Sequence, residues 1–81
     1  MNGNKRIKAL GTTVRSEALQ AIGYTYAAAS NNCATVEDAI LKYRDGAQRG
    51  TIRYIISEYI AGLGWDGYRQ FCAEVRKAYT R

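Results

Sequence analysis

Residues 52–63, IRYIISEYIAGL, decide the fold class of this chain. Apolar side chains recur here at intervals of 3, 1, 3, 1 and 3 residues, which matches the turn of an α-helix and not the two-residue period of a strand. We therefore predict a helix over about residues 48–61, stopped by Gly62 and Gly64, as the central core helix of an all-α domain. The stripe comprises Ile52, Ile55, Ile56, Tyr59, Ile60 and Leu63.

Three further helices are predicted on either side of this one. The first covers about residues 13–30, and the second covers residues 36–45, where Thr35 is a suitable N-cap and Gly46 a suitable C-cap. The fourth begins after Asp66, another good N-cap residue. The predicted fold is a compact all-α domain at residues 13–81, with four short helices packed around the third, preceded by a basic N-terminal arm at residues 1–12.

The composition argues against catalysis. The chain has only 81 residues, so its core is small and a deep, walled substrate pocket is not expected. It contains no His, which excludes Ser-His-Asp, Cys-His and His-ligated zinc chemistry. We therefore predict a protein that is not an enzyme and that uses no cofactor or metal.

The two cysteines and the absence of long apolar runs indicate a cytoplasmic protein without a membrane segment. Cys33 and Cys72 are too few for a disulfide framework, and we interpret them as free thiols or, alternatively, as a single bridge between two helices. No run approaches the ~18 consecutive apolar residues of a transmembrane helix.

The net formal charge of +5 is carried by the two ends of the chain. Residues 1–15 carry +4, residues 16–66 carry −2 and residues 67–81 carry +3. Such clustering is typical of a polyanion-binding protein, although basic tails also serve solubility alone. Arg outnumbers Lys by eight to four and the chain has seven Tyr, a bias that favours a binding surface over a simple charged coat.

The segment 35–56 resembles helix-turn-helix DNA-binding domains, because a short helix, a tight Gly-containing turn and a second amphipathic helix follow one another. The resemblance implies that the first half of the third helix would read bases with Gln48, Arg49, Thr51 and Arg53, and that Tyr54 would reach a phosphate. The alternative is an ordinary helical hairpin.

Two further basic groups extend this candidate nucleic-acid site. Lys5, Arg6 and Lys8 lie in the N-terminal arm, which could follow a minor groove. Arg69 and Arg76 share a face of the fourth helix, and Arg69, expected in its first turn, is disfavoured there by the helix dipole and needs an anionic partner. Trp65, between two glycines, is expected to plug the end of the core.

These patterns favour two functions over a third option, a purely structural subunit that forms oligomers. The first is a small, homodimeric DNA-binding or regulatory module that uses the helix-turn-helix and the basic arm on duplex DNA. The second is a small adaptor or inhibitor that binds an acidic partner protein through Arg and Tyr side chains.

Overall fold

The computed structural model describes residues 13–79, which form four α-helices. The helices are α1 (Val14–Ala27), α2 (Val36–Arg44), α3 (Ile52–Ala61) and α4 (Gly64–Ala78), and a single 3₁₀ turn, Ala29–Asn31, follows α1. The prediction of a small all-α domain is confirmed, and there is no strand between residues 13 and 79. No helix in this range is long and apolar enough to cross a membrane.

The hydrophobic core receives side chains from all four helices. Ile56 and Ile60 of α3 are buried, as their stripe predicts, and Phe71 of α4 is fully buried beside them. The helix with the most extensive contacts to the other three is α1 and not α3, because the small residues Ala18 and Gly23 on its buried face permit close approach. The buried apolar residues are Ala18, Ile22, Cys33, Val36, Ala39, Ile40, Ile56, Ile60, Phe71, Cys72 and Val75.

Threonine N-caps define where three of the helices begin. Thr35 accepts a hydrogen bond from the amide of Asp38 at 3.1 Å, as predicted for the start of α2. Thr13 accepts one in the same way at the start of α1. At α3 the capping residue is Thr51, and Gly50 before it has φ +85, which a helical residue cannot have. The predicted start of the third helix at Gln48 is therefore wrong by four residues.

The connection from α3 to α4 is shorter than the sequence suggests. Only Gly62 and Leu63 separate the two helices, and the chain reverses at Gly64, which has φ +75. Asp66 consequently lies in the first turn of α4 rather than at the N-cap. A negative charge in the first turn is still favoured by the positive end of the helix dipole.

The C-terminal end of α4 is held against the middle of α1. The ring of Tyr79 lies directly over Gly23, where an added Cβ would come within 2.3 Å of the ring carbons. The rings of Tyr79 and Tyr24 also meet edge to face, with centroids 5.8 Å apart. This contact explains a glycine in the interior of a helix, where it otherwise costs about 1 kcal/mol relative to Ala.

One arginine connects three helices. Arg15 of α1 donates a hydrogen bond to the hydroxyl of Tyr59 in α3 at 3.1 Å and forms an ion pair with Glu74 in α4. The hydrogen bond to Tyr59 and the charge of Glu74 raise the pKa of the guanidinium against its partial desolvation. Arg15, counted in sequence with the basic N-terminus, is thus part of the folded framework.

The two cysteines are buried free thiols. Burial raises the pKa of Cys72, and the charge of Glu37 acts in the same direction. No group of three or more potential metal ligands occurs among residues 13–79.

Candidate protein-interaction surface

The residues predicted to read DNA bases are placed in three different environments. Gln48 and Arg49 are exposed in the connection between α2 and α3, outside any helix. Thr51 caps α3 by accepting from the Tyr54 amide at 3.1 Å, while its hydroxyl donates to the carbonyl of Gln48 at 2.6 Å. Tyr54 itself is half-buried. These residues do not form one exposed face at the start of a helix.

Arg53 is occupied by the end of α2. Its guanidinium donates to the carbonyls of Lys42 at 3.0 Å and Asp45 at 2.9 Å, and also to the carbonyl of Tyr43. The guanidinium carbon also lies 5.0 Å from the centre of the Tyr43 ring. Because the last carbonyls of a helix lack intrahelical donors and carry partial negative charge, Arg53 acts as a C-terminal cap of α2.

The connection between α2 and α3 also differs from that of a helix-turn-helix. It comprises residues 45–51, seven residues, where the motif has a turn of three or four. Gly46 and Gly50 both have positive φ, so the chain turns twice between the helices. The prediction that Gln48 and Arg49 lie in the third helix is therefore wrong, and Arg53 near the start of α3 is hydrogen-bonded to the end of α2.

Most of the net charge lies outside the described part of the chain. Eight of the twelve Lys and Arg, and all seven Asp and Glu, fall within residues 13–79, which leaves this part at +1. The predicted phosphate-binding residues Lys5, Arg6 and Lys8 lie outside the described residues, as does Arg81. Residues 13–79 taken together are thus nearly neutral.

Arg69 and Arg76 lie on the exposed side of α4, as the sequence predicts. Arg76 forms an ion pair with Glu37 of α2, with 3.5 Å between Nη1 and Oε1. Arg69 lies in the second turn, because α4 begins at Gly64, and within residues 13–79 it has no ion pair, not even with Asp66 one turn away. Arg69 is therefore a cation available for an external anion.

Trp65 lies on the surface, so its predicted role as a plug of the core is wrong. The side chain is 71% exposed and stacks on Tyr68, with ring centroids 6.4 Å apart and an angle of 21° between the planes. Leu63 packs against the core at this end of the molecule instead. With the start of α4 at Gly64, Trp65 occupies the outer side of its first turn.

An exposed leucine lies on α2, the helix next to this part of α4. Leu41 is 64% exposed, and Glu37 and Arg44 precede and follow it at helical spacing on the same side of α2. Burial raises the pKa of Tyr68 first, and Cys72 and Glu37 add to this effect while Arg44 opposes it. The charges of Glu37 and Arg44, on either side of Leu41 in α2, therefore act on the Tyr68 hydroxyl.

An open groove lies on α4 beside Glu37 of α2, and it is lined by Glu37, Trp65, Asp66, Tyr68, Arg69, Gln70, Cys72, Ala73 and Arg76. We call this groove, together with the exposed Leu41 and Arg44 of α2, the α2–α4 face, and it comprises Glu37, Leu41, Arg44, Trp65, Asp66, Tyr68, Arg69, Ala73 and Arg76. Two of the three large apolar side chains most exposed within residues 13–79, Leu41 and Trp65, belong to this face, and the third, Tyr24, lies on α1.

A sequence signal existed for part of this face. The apolar stripe of α2 at Val36, Ala39, Ile40 and Tyr43 leaves Leu41 off the buried side, so its exposure follows from the helical period alone. The exposure of Trp65 depends on the start of α4, which the sequence did not reveal.

Comparisons with protein families, with characterised proteins and with solved structures find no match for this chain. The function has to be argued from the α2–α4 face itself.

Proposed function

We propose that this chain is a small adaptor or inhibitor that binds an acidic partner protein through the α2–α4 face. The observation that supports the proposal most is the 71% exposure of Trp65, which lies on a helix beside Tyr68 and near Arg69, an arginine with no ion pair within residues 13–79. The role is one of binding in the cytoplasm and not of catalysis.

The residue types on this face are those that dominate binding energies at protein interfaces. Trp, Tyr and Arg are enriched at hot spots, where a few buried side chains carry most of the affinity. A Trp side chain buries about 150–250 Å² when it is covered. At roughly 25 cal/mol per Å² of apolar area, covering most of the Trp65 ring favours a complex by about 3 kcal/mol before the costs of association.

The partner is expected to be acidic, because the cations on this face are not fully neutralised. Arg69 has no ion pair within residues 13–79, and Arg44 adds a second positive charge near Tyr68. The ion pair between Arg76 and Glu37 is half-exposed on both sides, so a partner carboxylate can approach Arg76 as well. Complementary carboxylates would accelerate association and fix its register.

The test is capture of partners from a nuclease-treated extract with the wild-type protein and two variants. We expect Trp65→Ala to lose the partner and Tyr24→Ala, which removes a similarly exposed aromatic ring from α1, to retain it. Circular dichroism verifies that both variants fold. The proposal is contradicted if wild-type protein and Trp65→Ala retain the partner equally. It is also contradicted if the partner is captured from an untreated extract but not from the nuclease-treated one.

A second candidate, a homodimeric regulator that binds duplex DNA, is supported by the charge outside residues 13–79. Those parts of the chain contain four basic residues and no acidic one. Binding through Lys5, Arg6 and Lys8 would weaken by roughly one log unit per log unit of salt for each phosphate contact. Affinity for duplex DNA that is undetectable at low salt, or unchanged when these three residues become Gln, contradicts this candidate.

A further inference from the structure

Another open cavity lies at the C-terminal end of α2, where α1 and α3 also contribute side chains. Its volume is about 320 Å³, at the lower end of the range for small-molecule sites. None of its lining residues belongs to the α2–α4 face, so its role is independent of the proposed function. The lining consists of Thr25, Asn31, Lys42, Tyr43 and Arg53.

The charge that lines this cavity is positive. Lys42 and Arg53 are both exposed, and neither forms an ion pair within residues 13–79. No carboxylate from this part of the chain lines the cavity, and Glu17, whose charge acts on the Tyr43 hydroxyl, lies outside the lining. The composition is therefore unlike that of the groove on α4, where two carboxylates accompany two arginines.

Arg53 has unused donors although it caps α2. Its Nε donates to the carbonyl of Tyr43, and its Nη2 donates to the carbonyls of Lys42 and Asp45. These bonds use every N–H group of Nε and Nη2, whereas the N–H groups of Nη1 have no acceptor within residues 13–79. The negative end of the α2 dipole, equivalent to about half a charge, is outweighed by the two cations.

The neutral residues of the cavity favour a ligand that also carries hydroxyl groups. The Thr25 hydroxyl donates its proton to the carbonyl of Ala21 at 2.9 Å, so toward a ligand it acts as an acceptor. Asn31 donates from Nδ2 to the carbonyl of Thr25 at 3.0 Å, and its Oδ1 has no donor within residues 13–79. Both oxygens suit the hydroxyls of a ligand, while Lys42 and Arg53 suit an anionic group.

We infer that this cavity binds a small phosphorylated polyol, with its phosphate against Lys42 and Arg53. A phosphate group has several strong acceptor oxygens, so an ammonium and a guanidinium can bind it together. The hydroxyls of the ligand donate to Thr25 and Asn31, and its carbon chain packs beside Tyr43. Because the ligand then joins α1, α2 and α3, binding stabilises the folded state by mass action.

The test is an NMR titration of the full chain with ribose 5-phosphate, which measures a weak affinity and locates the site. An ionic strength of about 0.15 M screens non-specific attraction. We expect a Kd on the order of 1 mM, with the shifts centred on the side-chain amide of Asn31 and the backbone amides of Lys42 and Arg53. Ribose, inorganic phosphate and a serine-phosphorylated peptide should each bind at least about tenfold more weakly, since each lacks part of the ligand or exceeds the cavity.

Two variants separate the contributions of charge and hydroxyl. Lys42→Gln removes a cation that has no ion pair in the fold and should raise the Kd of ribose 5-phosphate about tenfold. The matched control Lys77→Gln, at an exposed lysine of α4 outside this cavity, should change the Kd less than twofold. Thr25→Val should raise the Kd of ribose 5-phosphate about threefold and leave that of inorganic phosphate unchanged.

Four outcomes overturn the inference: no shifts with ribose 5-phosphate, shifts centred away from Asn31 and Lys42, equal affinity for ribose or inorganic phosphate, or equal effects of Lys42→Gln and Lys77→Gln. Tighter binding of the phosphorylated peptide than of ribose 5-phosphate overturns it as well and assigns the cavity to a phosphoprotein. Partner capture through Trp65 is unaffected by any of these results, because the two sites share no residue.

Discussion

At the scale of single residues, the arginine side chains have different roles at different positions. Arg15 connects three helices, Arg53 caps α2, and Arg76 pairs with Glu37, whereas Arg49 and Arg69 form no ion pair within residues 13–79. The sequence cannot separate these tasks, because the partners of Arg15 lie 44 and 59 residues away along the chain. Only packing decides which cations are available for binding.

The cap formed by Arg53 predicts a selective loss of stability. Arg53→Ala leaves the carbonyls of Lys42 and Asp45 without their charged donor and should lower the free energy of unfolding by about 1–2 kcal/mol. Arg53→Lys should recover little of it, since an ammonium cannot reach several carbonyls as a planar fork does. Urea denaturation measures both, and Arg49→Ala, the control, should stay within about 0.5 kcal/mol of wild type. Equal effects of the two Ala substitutions contradict the capping role.

The contact between Gly23 and Tyr79 predicts that the effect of Gly23→Ala on stability changes sign when the Tyr79 ring is removed. Gly23→Ala places a Cβ within 2.3 Å of the Tyr79 ring, so it should displace the ring and destabilise the wild-type protein. In a Tyr79→Ala background the clash is absent, and the same substitution should stabilise by about 1 kcal/mol through helix propensity. A double-mutant cycle by thermal denaturation measures this coupling. Additive effects would show that the ring does not lie on Gly23.

At the scale of helices, the interior of each element was predictable and its ends were less so. The apolar stripe of α3 and the N-cap of α2 at Thr35 were predicted correctly. Burial follows the local periodicity, and N-capping follows the residue type. The starts of α3 and α4 were wrong, since Thr51 and Gly64 compete with nearby residues that also suit a helix start. Two positive-φ glycines, Gly50 and Gly64, settle both boundaries.

The start of α3 is open to a direct test. Thr51→Ala removes the hydroxyl that accepts from the Tyr54 amide, and it should cost about 1 kcal/mol of stability. Carbon chemical shifts in solution should be helical from Ile52 and non-helical at Gln48, Arg49 and Gly50. Helical shifts at residues 48–50 would restore the arrangement of a recognition helix and contradict the present boundary.

At the scale of the whole molecule, the site was harder to predict than the fold. An all-α domain followed from periodicity alone, but the α2–α4 face combines side chains that are distant in sequence, Leu41 and Trp65 among them. The net charge was a misleading guide to the site, because folding decides which charged side chains remain available. The +5 of the chain suggested a polyanion surface, whereas residues 13–79 carry only +1 and several of their cations are used within the fold.

Stability should fall at high pH. Burial raises the pKa of Cys72, Tyr68 and Tyr43 in the folded protein, so the unfolded chain loses these protons first as the pH rises. These three groups should contribute fully to the free energy of unfolding below about pH 9. Above it their contribution should decline, first that of Cys72 and, from about pH 10, that of the tyrosines. Urea denaturation between pH 7 and 11 measures the decline. A rise in stability between pH 9 and 10 would contradict this prediction.

The central claim, that Trp65 is a surface residue available to a partner, is tested most directly by the fluorescence of the free protein. Trp65 is the single Trp, so the emission reports this position alone. With 71% of the side chain exposed, we expect an emission maximum close to that of tryptophan in water and efficient quenching by acrylamide at every protein concentration. A blue-shifted emission that persists on dilution and resists acrylamide would place Trp65 in the core and contradict the account.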